Sequence, residues 1–220
     1  MRVALAGQRS FGAAALRAIV EAGHDVAQVF APLGDRLDWE ARRLDIPTAE
    51  RLVADALEPD LDLIVCAHAH VFVSERARSR TQLGGVGYHP SLLPRHRGRD
   101  AVRWTVHMGD PIAGGSVYWL ANRIDGGPIA AADWCHVRPG TTASDLWRDQ
   151  LFPMGVRLLT KVLADLDRGV IVRVAQDEAC ATWEPSWDRP PVERPDLLQL
   201  GNGHDRVADR FTIVTDRNAA

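Results

Sequence analysis

Gly85-Val86-Gly87-Tyr88-His89-Pro90-Ser91-Leu92-Leu93-Pro94-Arg95-His96-Arg97-Gly98 reads as a short strand that stops at a histidine and turns at once. Pro90 and Pro94 restrict the backbone after that histidine, and Gly98 can take the positive φ that other residues avoid. A second run, Ile124-Asp125-Gly126-Gly127-Pro128-Ile129, does the same with an aspartate. Each titratable group is thus expected at the rim of a sheet, where a His and an Asp held together move protons near neutral pH. Alone, Asp125 reads as an ordinary turn residue and His89 as a satisfied core histidine. Together, with the proline-pinned loop beside them, they favour chemistry.

Working outward, Val3 to Ala6 is an apolar run closed by Gly7, the pattern of a buried parallel strand. Phe11 to Glu21 has helical spacing with Phe11, Leu16, Ile19 and Val20 inward and Gly23 as the stop. Further strands are expected over Asp25 to Phe30 and Leu61 to Ala67. Helices are expected over Arg36 to Leu44, Ala49 to Leu57 and Ser74 to Arg80. This alternation predicts an α/β fold, a Rossmann-like open and mostly parallel sheet flanked by helices, with ligands beyond the carboxyl ends of the strands. His68, His70 and His89 fall at such ends. The second half predicts a helix over Asp100 to Met108, two strands over Ser116 to Leu120 and Pro128 to Trp134, and a long helix over Thr142 to Leu166 broken or kinked at Pro153. Residues 1–187 read as one catalytic domain and 188–220 as an extended C-terminal arm. Trp183 and Trp187 are expected to pack that arm on the core, with stacking on a substrate ring as the sharper alternative.

The 220 residues carry a net charge of −3, so no basic field draws nucleic acid over the whole surface. Three cysteines are too few for a disulfide framework and suit a reducing cytoplasm. No apolar run approaches membrane-spanning length. The first turn, Gly7-Gln8-Arg9-Ser10-Phe11-Gly12, matches neither a dinucleotide fingerprint nor a phosphate-binding loop. It reads as a tight turn opening a helix, with anion binding by Arg9, Ser10 and the helix start as the functional alternative. Cys66, His68 and His70 alternate, so they would share one face of a strand, yet no complementary cluster supplies the remaining ligands of a zinc site, and no metal is expected.

The run His89-Pro90-Ser91-Leu92-Leu93-Pro94 with Gly98, and Asp125-x-Gly127-Pro128-Ile129 downstream, resembles the signature of the 10-formyltetrahydrofolate-dependent formyltransferases. Tyr88 to Trp104, Leu151-Phe152-Pro153-x-Gly155 and Ala181-Thr182-Trp183-Glu184 resemble in particular the N-terminal hydrolase domain of 10-formyltetrahydrofolate dehydrogenase. The likeness spans about residues 1–187 and implies the formyltransferase fold. It further implies 10-formyltetrahydrofolate as formyl donor and His89 and Asp125 as catalytic residues, His89 polarising the formyl oxygen or relaying a proton and Asp125 orienting it. The family's triplet is Asn, His and Asp. Here Gly87 stands at the Asn position and Gly126 follows the Asp where a Thr is usual, departures the hydrolase domain shares at the first position.

The resemblance places the pterin against Ala69, His70, Val71, Phe72 and Val73 and against Trp119, Ala121 and Ile124, with Arg9 or Arg95 toward the folate glutamate. Arg9, Ser10, Ser91 and Gly98 are assigned to the acceptor. The short stretch from Ala31 to Pro47 and the short C-terminal arm disfavour tRNA, so a small amine is expected, an amino sugar or biosynthetic intermediate. Water as acceptor, releasing formate, is the alternative. A folate-binding protein with decayed catalysis, and an unrelated nucleotide-binding α/β protein, stand as further alternatives. No membrane partner is expected. The arm from Arg189 to Asn202 is read as covering the cleft or joining the partner of a homodimer.

Overall fold

A computed structural model describes residues 1–187. Seven strands form one sheet: β1 (Arg2–Gly7), β2 (Asp25–Phe30), β3 (Thr48–Ala49), β4 (Leu63–Ala67), β5 (Gly85–His89), β6 (Ile112–Trp119) and β7 (Ile129–His136). Their spatial order is β3-β2-β1-β4-β5-β6-β7. The strands from β3 to β5 are mutually parallel, and β6 and β7 run antiparallel to their neighbours. This is the mostly parallel α/β sheet read from the sequence. The chain steps outward from β1 to β3 and then jumps back to β4, so the crevice between the carboxyl ends of β1 and β4 is a topological switch point, where open sheets place ligands. A Cβ at Gly7 would overlap the carbonyl of Ala67, so only glycine lets the two strand ends come this close.

Helices α1 (Arg9–Glu21), α2 (Arg36–Arg43) and α6 (Phe152–Asp167) cover one face, and α3 (Glu75–Arg78) lies against the other. α4 (Ala101–His107) follows the loop after β5, and α5 (Ala143–Leu146) leads toward α6. The larger core joins Phe11, Leu16 and Ile19 of α1 to Leu158, Leu159 and Leu163 of α6 across Val3, Leu5 and Val65 of the sheet. Fully burying each such side chain contributes on the order of 1.5–3 kcal/mol, so this face dominates the packing. Val20, expected inward, is instead half-exposed at the margin of α1.

Two further readings are corrected. Residues 49–57 do not form a helix: β3 pairs with β2, and only a short 3₁₀ turn at Ala54–Ala56 follows. Extended backbone there buries Leu52, Ala54 and Leu57 in the smaller core just as a helix would have. The long helix is interrupted beside Pro153 as expected: α5 gives way to a π-helical turn at Trp147–Leu151, and α6 starts at Phe152 with Pro153 in its first turn. The alternation of Cys66, His68 and His70 also ends early, because β4 stops at Ala67 and His68 turns with φ +59°.

Tyr88 holds β5 in place. Its hydroxyl donates to the carbonyl of Leu151 in the π-helical turn at 2.7 Å, and its ring packs on Phe11 with centroids 5.3 Å apart. A Cβ on Gly115 or Gly155 would overlap this ring. Successive side chains of a strand point to opposite faces, so anchoring Tyr88 in the larger core turns His89 to the other side.

Candidate active site

His89 is the last residue of β5, and both it and Asp125 are buried. His89 Nδ1 lies 3.6 Å from Asp125 Oδ2. His89 Nε2 lies 2.7 Å from the carbonyl oxygen of His96. A carbonyl only accepts, so Nε2 carries the proton, and Nδ1 is the nitrogen left to face Asp125.

Asp125 is held on every side. Oδ1 accepts from the Tyr118 hydroxyl at 2.6 Å, and Oδ2 accepts from the Gly98 N–H at 2.8 Å. Its backbone sits in the left-handed region at φ +52°, which Asp tolerates better than most residues. Gln176 Nε2 donates to the carbonyls of Asp125 and Gly127, both at 2.7 Å, and Arg97 in turn clamps Gln176 Oε1 and Glu178. A Cβ at Gly127 would overlap the carbonyl of Trp119, so glycine is required where this loop rejoins the sheet.

The loop after His89 is braced by a cluster of titratable side chains in which His96 and Glu184 are buried. The His96 ring lies between Asp110, 2.9 Å from Nε2, and Glu184, 3.0 Å from Nδ1. Arg95 adds a bidentate pair to Asp110 at 2.7 Å, which with His96 holds the Asp110 carboxyl below the usual range against the opposing effect of its burial. Neither oxygen of the Glu184 carboxylate has a hydrogen-bond partner among the described residues, and Oε1 approaches the His96 ring closely without an aligned hydrogen bond. Thr182 fastens the same segment to the loop through the N–H groups of His96 and Arg97.

The expected ligand-facing residues divide into two groups. Val71, Phe72 and Ile124 are exposed apolar side chains. Arg78 joins their two loops by donating to the carbonyls of Val73 and Ala121 and to Asn122. Gly7, Gln8, Phe30, Ala31, Pro32, Glu50, Ala69, His70 and Val71 line a concavity of about 120 Å³ at the switch point. Burial, with His70 and Arg9 nearby, lowers the His68 pKa to about 4, and the His70 pKa is also lowered, by burial and then by Arg99 and Arg9. Both rings are therefore neutral at pH 7.

The side chains of the other group are engaged elsewhere. Val73 belongs to the smaller core, and Trp119 is buried with its Nε1 donating to Val172 and Arg173 stacked on its ring. Ser91 is buried and donates to the carbonyl of Arg95. The Gly98 N–H already serves Asp125, and Arg95 is tied to Asp110 rather than open to a carboxylate ligand. At the first turn the Arg9 N–H donates to Asp35 at 2.7 Å, so an internal carboxylate occupies the place expected for an external anion, while the Ser10 hydroxyl accepts from Arg36. Trp183 lies against Gly98, and Trp187 packs on Trp104 and His107, so these two residues close over the core. Arg189 to Asn202 lie outside the described residues, as does the whole 188–220 arm. No group of three or more metal-ligating side chains occurs among the described residues.

Residues 1–163 match the family model described as "Formyl transferase". The chain belongs to the formyl transferase family. It is 29% identical over 247 residues to cytosolic 10-formyltetrahydrofolate dehydrogenase of Xenopus laevis, an alignment covering 99% of this chain and 27% of that protein. The chain thus spans about a quarter of the length of the curated relatives it matches. Among solved structures it superposes on the Helicobacter canadensis N-formyltransferase in complex with folinic acid and dTDP-3-aminofucose, with TM-score 0.71, 16% identity, and 82% and 69% of the two chains covered. Glycinamide ribonucleotide transformylase 1 of Symbiobacterium toebii gives TM-score 0.69, 22% identity, and coverage of 80% and 93%. These likenesses establish the formyltransferase fold. No described helix is long and apolar enough to cross a membrane.

Tyr118, His96, Arg97, Gln176 and Glu184 were not singled out from the sequence as site residues. His96, Arg97 and Glu184 lie in the runs that carry the family resemblance, and Tyr118 alternates with Ser116 and Leu120 and so shares their face of β6.

Proposed function

We propose that residues 1–187 form a catalytic domain that transfers the formyl group of 10-formyltetrahydrofolate to a small amine. The acceptor nitrogen bonds to the formyl carbon, the bond from that carbon to folate N10 breaks, and tetrahydrofolate leaves. The amine loses one proton and N10 gains one. The observation that carries this reading is the buried His89–Asp125 pair, fixed so that Nδ1 is the exchanging nitrogen and the carboxylate stabilises charge on the ring. The exposed Val71, Phe72 and Ile124, on loops tied together by Arg78, offer the apolar walls a pterin needs, and main-chain groups of Ala69 and Ala121 can read its edge. The concavity at the switch point, lined by neutral His70, is suited to a small acceptor. A net charge of −3 supplies no overall positive field to draw tRNA. Three free cysteines suit a reducing cytoplasm.

A second reading, hydrolysis to formate and tetrahydrofolate, is favoured by one observation. Gly87 gives β5 no side-chain donor beside His89, as expected if a small nucleophile needs little orienting. Product analysis separates the two readings. Wild-type protein is incubated with 10-formyltetrahydrofolate, with and without a panel of amino sugars and amino acids. A formylated amine exceeding formate supports transfer. Formate released at the same rate with or without amines supports hydrolysis, and no tetrahydrofolate under either condition overturns both.

A further inference from the structure

Gly87 of β5 pairs directly with Tyr118 of β6. Both face the side of the sheet that carries His89, with Cys66 of β4 beside them. A Cβ at Gly87 would stand 3.3 Å from Leu120 Cδ2, 3.4 Å from Tyr118 Cε1 and 3.5 Å from Cys66 Cβ. A single carbon is already tight there, and a longer side chain meets the Tyr118 ring. The space over Gly87 therefore belongs to a residue from the neighbouring strand. That ring ends in a hydroxyl 2.6 Å from Asp125 Oδ1. Burial, and then the Asp125 charge, push the Tyr118 pKa well above that of a free phenol. The hydroxyl is thus a fixed donor.

Two donors converge on Asp125 from different elements. The Gly98 N–H is backbone, set by a loop at φ +92°. The Tyr118 hydroxyl is carried by a β-strand and held against bare backbone. Removing it leaves Oδ1 without its partner and lets the carboxylate rotate, which moves Oδ2 from its place 3.6 Å from His89 Nδ1.

We propose that Tyr118 is a positioning residue for formyl transfer: reaching over Gly87, its hydroxyl locks the Asp125 carboxylate in the rotamer that faces His89. The inference rests on the functional reading above for its kinetic consequence, but not for its geometry. Gly87 and Tyr118 accordingly act as one unit, and a bulky side chain at 87 disables the site by displacing the phenol.

The test uses the full chain and three variants, Tyr118→Phe, Gly87→Val and the double variant. Tyr118→Phe is expected to lower kcat roughly 10- to 100-fold, the scale of a misplaced catalytic group, with the KM for 10-formyltetrahydrofolate within about twofold of wild type. Gly87→Val is expected to lower kcat similarly, and the double variant to be no worse than the poorer single, since coupled residues are not additive. Nitrogen NMR of the His89 ring provides a readout without turnover, and Tyr118→Phe is expected to shift its Nδ1 resonance. An unchanged resonance, or wild-type kcat in Tyr118→Phe, overturns the proposal, as does multiplication of the two single effects in the double variant. Wild-type protein that turns over nothing defeats the functional reading, and the resonance then still decides the role of Tyr118.

Discussion

The Nε2 of His89 and the carbonyl oxygen of His96 lie 2.7 Å apart, so the imidazole proposed to act in catalysis is oriented by the backbone of its own loop. This contact fixes which nitrogen faces the aspartate without any further side chain. Replacing His89 by Ala removes that nitrogen and leaves a buried carbonyl without its partner. Turnover is expected to fall by roughly 10²–10⁴-fold, the usual contribution of a general acid–base. Stability is expected to drop by about 1–3 kcal/mol for the unpaired carbonyl. Tetrahydrofolate formation and urea unfolding of the same preparation check both.

Because His96 supplies that carbonyl, its ring matters through the loop. The side chains of His96 and Glu184 are almost wholly buried, and the Glu184 oxygens accept no hydrogen bond among the described residues. His96→Ala is expected to cost about 3–5 kcal/mol, the range for a buried charged group stripped of its partner. Glu184→Gln, which removes the charge but keeps the shape, is expected to cost much less. Chemical denaturation of the two variants tests that order.

Neutral histidines at the switch point set a pH dependence of stability. The His68 pKa is lowered by burial to about 4 from 6.5, and those of His70 and His24 are lowered too. Below pH 6.5 the unfolded chain takes up protons that the folded protein refuses, so the stability contributed by keeping His68 neutral is full above that value and is lost as pH falls toward 4. Melting temperature measured from pH 7 to pH 4 is expected to decline, and His68→Gln to decline less steeply. Parallel curves would show that His68 makes no such contribution.

Gly127 is the tightest approach in the aspartate loop. A methyl group there would overlap the Trp119 carbonyl, which is backbone and cannot rotate away. Gly127→Ala is expected to destabilise by at least about 1–3 kcal/mol through forced backbone movement and to carry Asp125 away from His89. Gly126→Ala, where a Cβ would stand 3.0 Å from Arg123 Cβ and 3.7 Å from the Ile124 carbonyl oxygen, needs a far smaller shift and is expected to destabilise much less than Gly127→Ala. Thermal melts of both distinguish the two sites.

The parallel half of the sheet was legible because Val3 to Ala6 and Leu61 to Ala67 are apolar enough to require burial on both faces. The approach of His89 to Asp125 was legible because proline and glycine punctuate the chain beside each of them. The stretch from Ala49 to Leu57 was misread because its apolar residues suit a helix or an extended segment equally, and pairing of β3 with β2 decides between them. The buried roles of Val73, Trp119 and Ser91 were hidden for a related reason: a residue beside a cleft can face into it or away from it, and strand register settles which. The His96–Glu184 contact spans 88 residues of chain, and local pattern contains no trace of it.

The most direct measurement is tetrahydrofolate production from 10-formyltetrahydrofolate by wild-type protein and by Asp125→Asn, which keeps the shape of the carboxyl group and removes its charge. The account predicts turnover in the wild type and roughly a 10²-fold or greater loss in the variant, with binding of a stable folate analogue unchanged. Equal turnover in the two proteins, or none in the wild type, would contradict it.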